Sequence, residues 1–222
     1  VLQLDLTVIW DDFRLTADWT ASAGERIAII GPSGAGKSTL LMAIAGFVPV
    51  QGHVRWNGTE LPADPGKRAV TTLFQDQNLF PHLTVAQNLA LGLSPDLRRS
   101  DGVDEALERV GLSGLGTRKP AQLSGGQQGR AALARALLRA RPILLLDEPF
   151  AALGPALKQE MLDLVDQVAG DALVLMVTHD PADARRIAGR TVMLADGVAH
   201  PPMPTAALLD SPPPALRAYL GA

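Results

Sequence analysis

The 222-residue chain contains no cysteine. That absence removes disulfides, thiolate nucleophiles and cysteine-type zinc sites together, and it fits a reducing compartment. Aromatic residues make up only 4% of the chain, and a formal net charge of -3 supplies no global basic field. Both argue against a grip on nucleic acid, so no nucleic-acid partner is expected. Long apolar runs are missing as well. Ile27 to Ile30, Ile143 to Leu146 and Leu173 to Val177 are strand-sized, far short of the ~20 residues a helix needs to cross a bilayer. Val1 to Leu6 lacks the basic start and apolar centre of a secretory signal. The missing initial methionine suggests numbering that begins inside a trimmed or processed chain. Any membrane role is therefore expected to run through a partner protein.

What is present describes an ordinary globular protein, with 47% hydrophobic and 19% charged residues. The length suits one large domain. Leu2 to Val8 alternates apolar and polar, the period of a half-buried strand. Ile27 to Ile30, by contrast, is continuously apolar, as in a strand covered on both faces. Thr39 to Gly46 reads as a helix ending at glycine. Gly52 to Gly58 reads as a strand closed by Asn57-Gly58, and Val70 to Gln75 as another strand. Residues 76 to about 141 favour helices, notably Val103 to Val110 and Ala131 to Arg139, between Gly, Pro and Ser breaks. Strand signals return at Ile143 to Leu146, Leu173 to Val177 and Thr191 to Leu194, with a helix over Pro155 to Val168. The alternation predicts a parallel α/β sheet interrupted by a mainly helical insert. Pro201 to Pro214 is expected to be a loop before a short final helix.

Gly31-Pro32-Ser33-Gly34-Ala35-Gly36-Lys37-Ser38 matches the phosphate-loop pattern between a buried strand and a helix. Its glycines let backbone N–H groups converge on phosphate oxygens. Lys37 supplies a point charge for the terminal phosphates, and Ser38 a hydroxyl for Mg²⁺. The helix start adds its positive dipole end. Asp147 and Glu148 follow the buried run Ile143 to Leu146, at the sheet edge where ligands of open α/β sheets bind. Asp147 suits Mg²⁺, and Glu148 can then polarise an attacking water. His179 follows a third strand to the same edge, where a neutral imidazole can reach the terminal phosphate or the water. Gln75 could meet metal and water. Trp10 and Phe13 offer aromatic faces for a base, with packing an equal alternative.

One motif exceeds the needs of a single nucleotide pocket. Leu123-Ser124-Gly125-Gly126-Gln127 reads as a short glycine-rich turn before an arginine- and alanine-rich helix. Such a turn is a second phosphate-facing surface. Its simplest use is against the nucleotide held by another copy of the chain.

These segments, in this order, resemble the ATP-binding subunits of ATP-binding-cassette (ABC) transporters across essentially the whole chain. The resemblance implies an α/β P-loop NTPase (RecA-like) core with an antiparallel β subdomain and an inserted helical subdomain. Residues 1–75 and 142–200 would form the core with its β subdomain, 76–141 the helical part and 201–222 a tail. It implies ATP and Mg²⁺ as cofactors and a head-to-tail dimer with two ATP molecules between subunits. Glu148, His179 and Lys37 would be catalytic. ATP would be held by Trp10, Gly31, Pro32, Ser33, Gly34, Ala35, Gly36, Lys37, Ser38, Thr39 and Gln75. From the partner copy, Ser124, Gly125, Gly126 and Gln127 would complete the site. Ser38, Gln75 and Asp147 would hold the metal. Membrane permease subunits and, indirectly, an external solute-binding protein are the implied partners, placing the chain on the cytoplasmic face of the inner (plasma) membrane.

A narrower resemblance is to the ATPases of thiamine import, carried by Gly31 to Leu41, Ile44 to Phe47, Leu73 to Gln75, Asn78 to Leu89, Leu144 to Phe150 and Gln159 to Leu162. Iron, sulfate and polyamine importers are close relatives of that group. Two positions depart from the family pattern. Gln128-Gly129-Arg130 replaces the usual Arg-Gln-Arg after the signature, and Gly154 replaces the Asp that ends the segment after the acidic pair. Hydrolysis is expected to persist, because Glu148, Lys37 and His179 are intact. A P-loop kinase would share Lys37 and Ser38 but gives no reason for Leu123 to Gln127. A non-transport ABC protein would usually carry coiled coils or two cassettes.

Overall fold

The computed structural model describes residues 1–10, 13–74 and 79–220, the side chains of 218–220 excepted. Strands β1 (Leu2–Trp10) and β2 (Phe13–Ala21) pair antiparallel along their whole length. Leu2, Leu4, Leu6 and Val8 turn inward while Gln3 and Asp5 face solvent, as the alternating pattern predicts. The other edge of β1 carries β4 (Gln51–Trp56), which in turn pairs with β5 (Thr59–Glu60). The Asn57-Gly58 turn joins them, with Asn57 at φ 51.

Among the described residues, five strands form the parallel half: β3 (Arg26–Ile30), β6 (Val70–Leu73), β7 (Ile143–Asp147), β8 (Leu173–Val177) and β9 (Arg190–Ala195). Their order is β9-β3-β8-β7-β6, and β10 (Val198–Ala199) links β9 to β2, joining both halves in one sheet. The apolar runs hide a period of two. Ile27, Ile29, Ile143, Leu145, Leu173 and Leu175 pack with α1 (Lys37–Ala45) and the antiparallel strands. Ala28, Ile30, Leu144, Leu146, Val174 and Met176 pack on the opposite side against the remaining helices. Both faces are dry, so no polar alternation survives in these strands.

The segment expected to be helical contains α2 (Val85–Leu93), α3 (Val103–Arg109) and α4 (Gly125–Leu138). Helix α4 begins six residues earlier than the sequence suggests. The glycine-rich stretch is its first turn, because Ser124 caps it and Gln127 returns the bond, a reciprocal box that offsets the low helix propensity of two glycines. Helix α5 (Pro155–Val168) occupies the predicted span and α6 (Pro181–Ile187) follows β8.

The expected C-terminal loop is corrected by the structure. Met203–Pro204 forms β11 against β9, and Thr205–Asp210 forms α7, with Leu208 and Leu209 buried, before α8 (Pro214–Leu220). The prolines lie outside the six residues of α7, so they set its limits without breaking it. Buried Thr205 fastens the segment by donating to the Ala188 carbonyl at 2.6 Å.

Arg68 fixes the far end of α1. Its buried guanidinium donates to the carbonyls of Ala43 (3.1 Å), Ile44 (2.7 Å) and Pro62 (2.7 Å). These include terminal carbonyls that a helix cannot satisfy internally.

Candidate nucleotide site

The phosphate loop runs from the end of β3 into α1. A Cβ at Gly31 would lie 2.0 Å from the Leu194 carbonyl oxygen, so only glycine lets the loop leave the sheet there. Gly36, at φ 100, starts α1, and a Cβ on it would meet the Phe13 ring at 2.5 Å. The Phe13 ring therefore packs against Gly36 of the loop.

Lys37 is buried to 9% exposure and donates to the carbonyls of Gly31 (2.9 Å) and Pro32 (2.8 Å). Burial lowers its pKa, while Glu148 and Asp147 push it back upward. The ammonium is therefore tethered inside the loop whose phosphates it would meet. Ser38 Oγ donates to Asp147 Oδ1 at 3.0 Å. Asp147 has its pKa raised, first by burial; the Ser38 bond lowers it, Glu148 raises it further and Lys37 lowers it.

Glu148, one residue beyond β7, sits at φ 43, a left-handed conformation that a non-glycine residue adopts at a cost of about 1–3 kcal/mol. Its amide donates to the Val177 carbonyl at 3.2 Å. Its Oε2 lies 3.0 Å from Nδ1 of His179. One cavity of about 350 Å³ brings the aromatic Trp10 and Phe13, the loop residues Ser33, Gly34 and Gly36 to Thr39, and Glu148 together. That volume suits a small-molecule ligand. Trp10 is 57% exposed, an apolar face with little of its own chain to cover it.

The signature residues lie elsewhere. Ser124 Oγ accepts from the Gln127 amide (3.3 Å), and Gln127 Oε1 accepts from the Ser124 amide (3.0 Å). Gly126 is buried against α5, where a Cβ would lie 2.5 Å from Leu157 Cδ2. None of Ser124 to Gln127 lines the cavity of the phosphate loop. Gln75 falls outside the described residues.

Sequence reasoning missed the ion-pair network around His179. Lys158 Nζ lies 3.1 Å from Asp180 and 2.7 Å from Asp183. Helical spacing alone could not reveal it, since it joins α5 to the cap and first turn of α6. Asn88 was also missed as a scaffold. It is fully buried and exchanges bonds with Phe80, accepting from its amide at 2.7 Å and donating to its carbonyl at 3.0 Å.

A parallel sheet with a phosphate loop, an acidic pair and a histidine along one edge defines a nucleotide-hydrolysing P-loop protein. The family model described as ABC transporter matches residues 16–151, and the chain belongs to that family, as its transport ATPase component. The chain is 68% identical to the thiamine import ATP-binding protein ThiQ of Cereibacter sphaeroides, over the full length of both chains. It is 58% identical to the protein of the same name from Ruegeria sp. (98% of each chain). Identity to that from Yersinia pseudotuberculosis is 51%, covering 92% of this chain and 90% of the relative.

Proposed function

We propose that the chain drives import of thiamine or its phosphates as one of two identical ATPase subunits on the cytoplasmic face of the inner (plasma) membrane. The permease would be a separate protein, supplied by an external solute-binding protein. The cargo reading rests on the printed names of the relatives. Among the described residues no helix is long and apolar enough to cross a membrane, so a permease subunit is needed to form the path.

One observation carries the mechanism: Lys37, Ser38, Asp147, Glu148 and His179 converge on one sheet edge, while the signature turn lies outside that cavity. ATP would enter with its base against Trp10 and its phosphates on the amides of Gly31 to Thr39. Lys37 would exchange its two carbonyl partners for phosphate oxygens. The donor set fits Mg²⁺, because a hard cation that keeps several waters needs only an oxygen or two from the protein. The bonded pair Ser38 and Asp147 offers them, with Gln75 the third expected ligand. Bound there, Mg²⁺ would neutralise charge on the phosphates.

Glu148 would accept the proton of the attacking water, and His179 would orient that carboxylate and contact the γ-phosphate. Ser124, Gly125 and Gly126 of the partner copy would donate to the same γ-phosphate, aided by the N-terminus of α4. ATP then favours the closed pair because it satisfies donors on both copies, and phosphate release removes that bridge. Phe80, Pro81, His82 and Leu83 would pass the motion to the permease. Phe80 is 47% exposed, with the Arg135 guanidinium 5.5 Å from its ring centre and His82 edge-on at 6.0 Å.

Glu148→Gln should bind ATP, fail to hydrolyse it and accumulate as a dimer. Light scattering that finds only monomer with saturating ATP would sink the sandwich scheme. Uptake by vesicles holding the complete transporter, with thiamine, iron, sulfate and polyamine each offered, decides the cargo.

A further inference from the structure

The side chain of Lys158 is only 15% exposed and lies between two carboxylates, 3.1 Å from Asp180 and 2.7 Å from Asp183. Burial disfavours its ammonium, but the hydrogen bonds it donates to Asp183 and Asp180, with their negative charge, outweigh that and raise its pKa. Asp183 Oδ2 also accepts the Thr178 hydroxyl at 2.7 Å, and Thr178 Oγ1 accepts the Asp180 amide at 3.1 Å. The residues on both sides of His179 are therefore fixed to α5, while the imidazole between them remains 58% exposed. Lys158 and His179 also line one small cavity with Glu148.

Stability alone does not account for this arrangement. A buried ion pair returns no more than well-packed apolar side chains would. Here Asp183 Oδ1 is in addition buried with no hydrogen-bond partner among the described residues. Placement is the remaining gain. The neighbouring residue, Leu157, is the one against which Gly126 of the signature packs. The first turn of α5 thus touches the signature on one side and the His179 loop on the other. Lys158 closes this turn by donating its amide to the Gly154 carbonyl at 2.9 Å.

We propose that Lys158 is a positioning residue for His179, and that the Leu157–Lys158 turn ties the His179 loop to the signature turn of the same chain. The proposal rests on the reading of His179 as a phosphate-facing residue. In a head-to-tail pair, His179 and the signature of one chain face different ATP molecules. A shift of either surface would then be felt at the other nucleotide through α5.

The test is steady-state ATP hydrolysis by the full chain assembled with its permease, alongside melting temperature. Lys158→Met should lower kcat about tenfold or more and leave the KM for ATP within about twofold, with Lys158→Arg recovering most of the loss. The pair Lys158→Met/Asp183→Asn removes the unpaired buried charge, so its melting temperature should recover while kcat stays low. In a His179→Ala background, Lys158→Met should cause no further loss. Recovery of kcat together with melting temperature, or a further tenfold loss in the His179→Ala background, would overturn the positioning role alone. Full activity of His179→Ala by itself would overturn the reading of His179, and this proposal with it.

Discussion

Nδ1 of His179 lies 3.0 Å from Oε2 of Glu148, across 31 residues of chain. The contact follows from register: β7 and β8 run parallel with Asp147 opposite Val177, and each side chain sits just past the end of its strand. Residues that are adjacent in the site are so because their strands are adjacent in the sheet.

Asp147 is held partly buried with a raised pKa, which gives a pH-dependent cost to the empty protein. A carboxyl that binds its proton more tightly when folded stabilises the fold below the ordinary carboxylate pKa and loses that contribution as pH rises through the raised value. Above that raised value the ionised group is therefore a burden on the folded chain. Asp147→Asn should raise the melting temperature of the nucleotide-free protein at pH 7, by a margin that shrinks as pH falls toward the ordinary carboxylate range. It should also remove Mg²⁺-dependent hydrolysis. An unchanged or lower melting temperature at pH 7 would count against the account.

Arg68→Ala should cost about 1–3 kcal/mol, since it takes from the buried Ile44 carbonyl at the end of α1 its guanidinium donor, while Ala43 keeps the Gly46 amide at 3.1 Å. Denaturant unfolding measures this directly. Because α1 begins at the phosphate loop, ATP affinity should fall too once the helix end loosens.

Gly154 is the N-cap of α5, with φ -63 and ψ 158, no capping side chain and nothing within 4 Å of an added Cβ. An aspartate fits this conformation without strain and would accept a backbone N–H of the first turn. Gly154→Asp should therefore raise stability by a few tenths of a kcal/mol, seen as a small rise in denaturation midpoint. A loss of 1 kcal/mol or more would contradict the open geometry.

Trp10 lines the cavity with more than half its surface uncovered. Trp10→Ala should weaken ATP binding by roughly fivefold to tenfold, the scale of one aromatic stacking contact of about 1 kcal/mol. Stability should change little. Titration calorimetry with ATP and with triphosphate alone separates the base contact from the phosphate contacts, and only the former should respond.

Much of this was legible in the order of residues. The spans of α5 and β8 coincide with their sequence patterns, because a proline start and a bounded apolar run are strong local signals. The phosphate loop and the acidic pair could also be read, as each needs a few residue types at fixed spacing. The start of α4 was misread because glycines signal a turn; the capping box of Ser124 and Gln127 overrides them. Helix α7 was hidden among prolines, whose local signal outweighed the burial of Leu208 and Leu209 against a surface distant in sequence.

The sequence by itself determined the strand and helix alphabet, the phosphate-binding chemistry and the family, because these depend on short-range pattern and residue type. Tertiary structure alone decided that Phe13 packs against Gly36, that Arg68 ends α1, and that Lys158 secures the loop carrying His179. Those contacts join segments whose separation leaves no periodic trace, and only the stacking of strands and helices brings their side chains within hydrogen-bonding or packing distance.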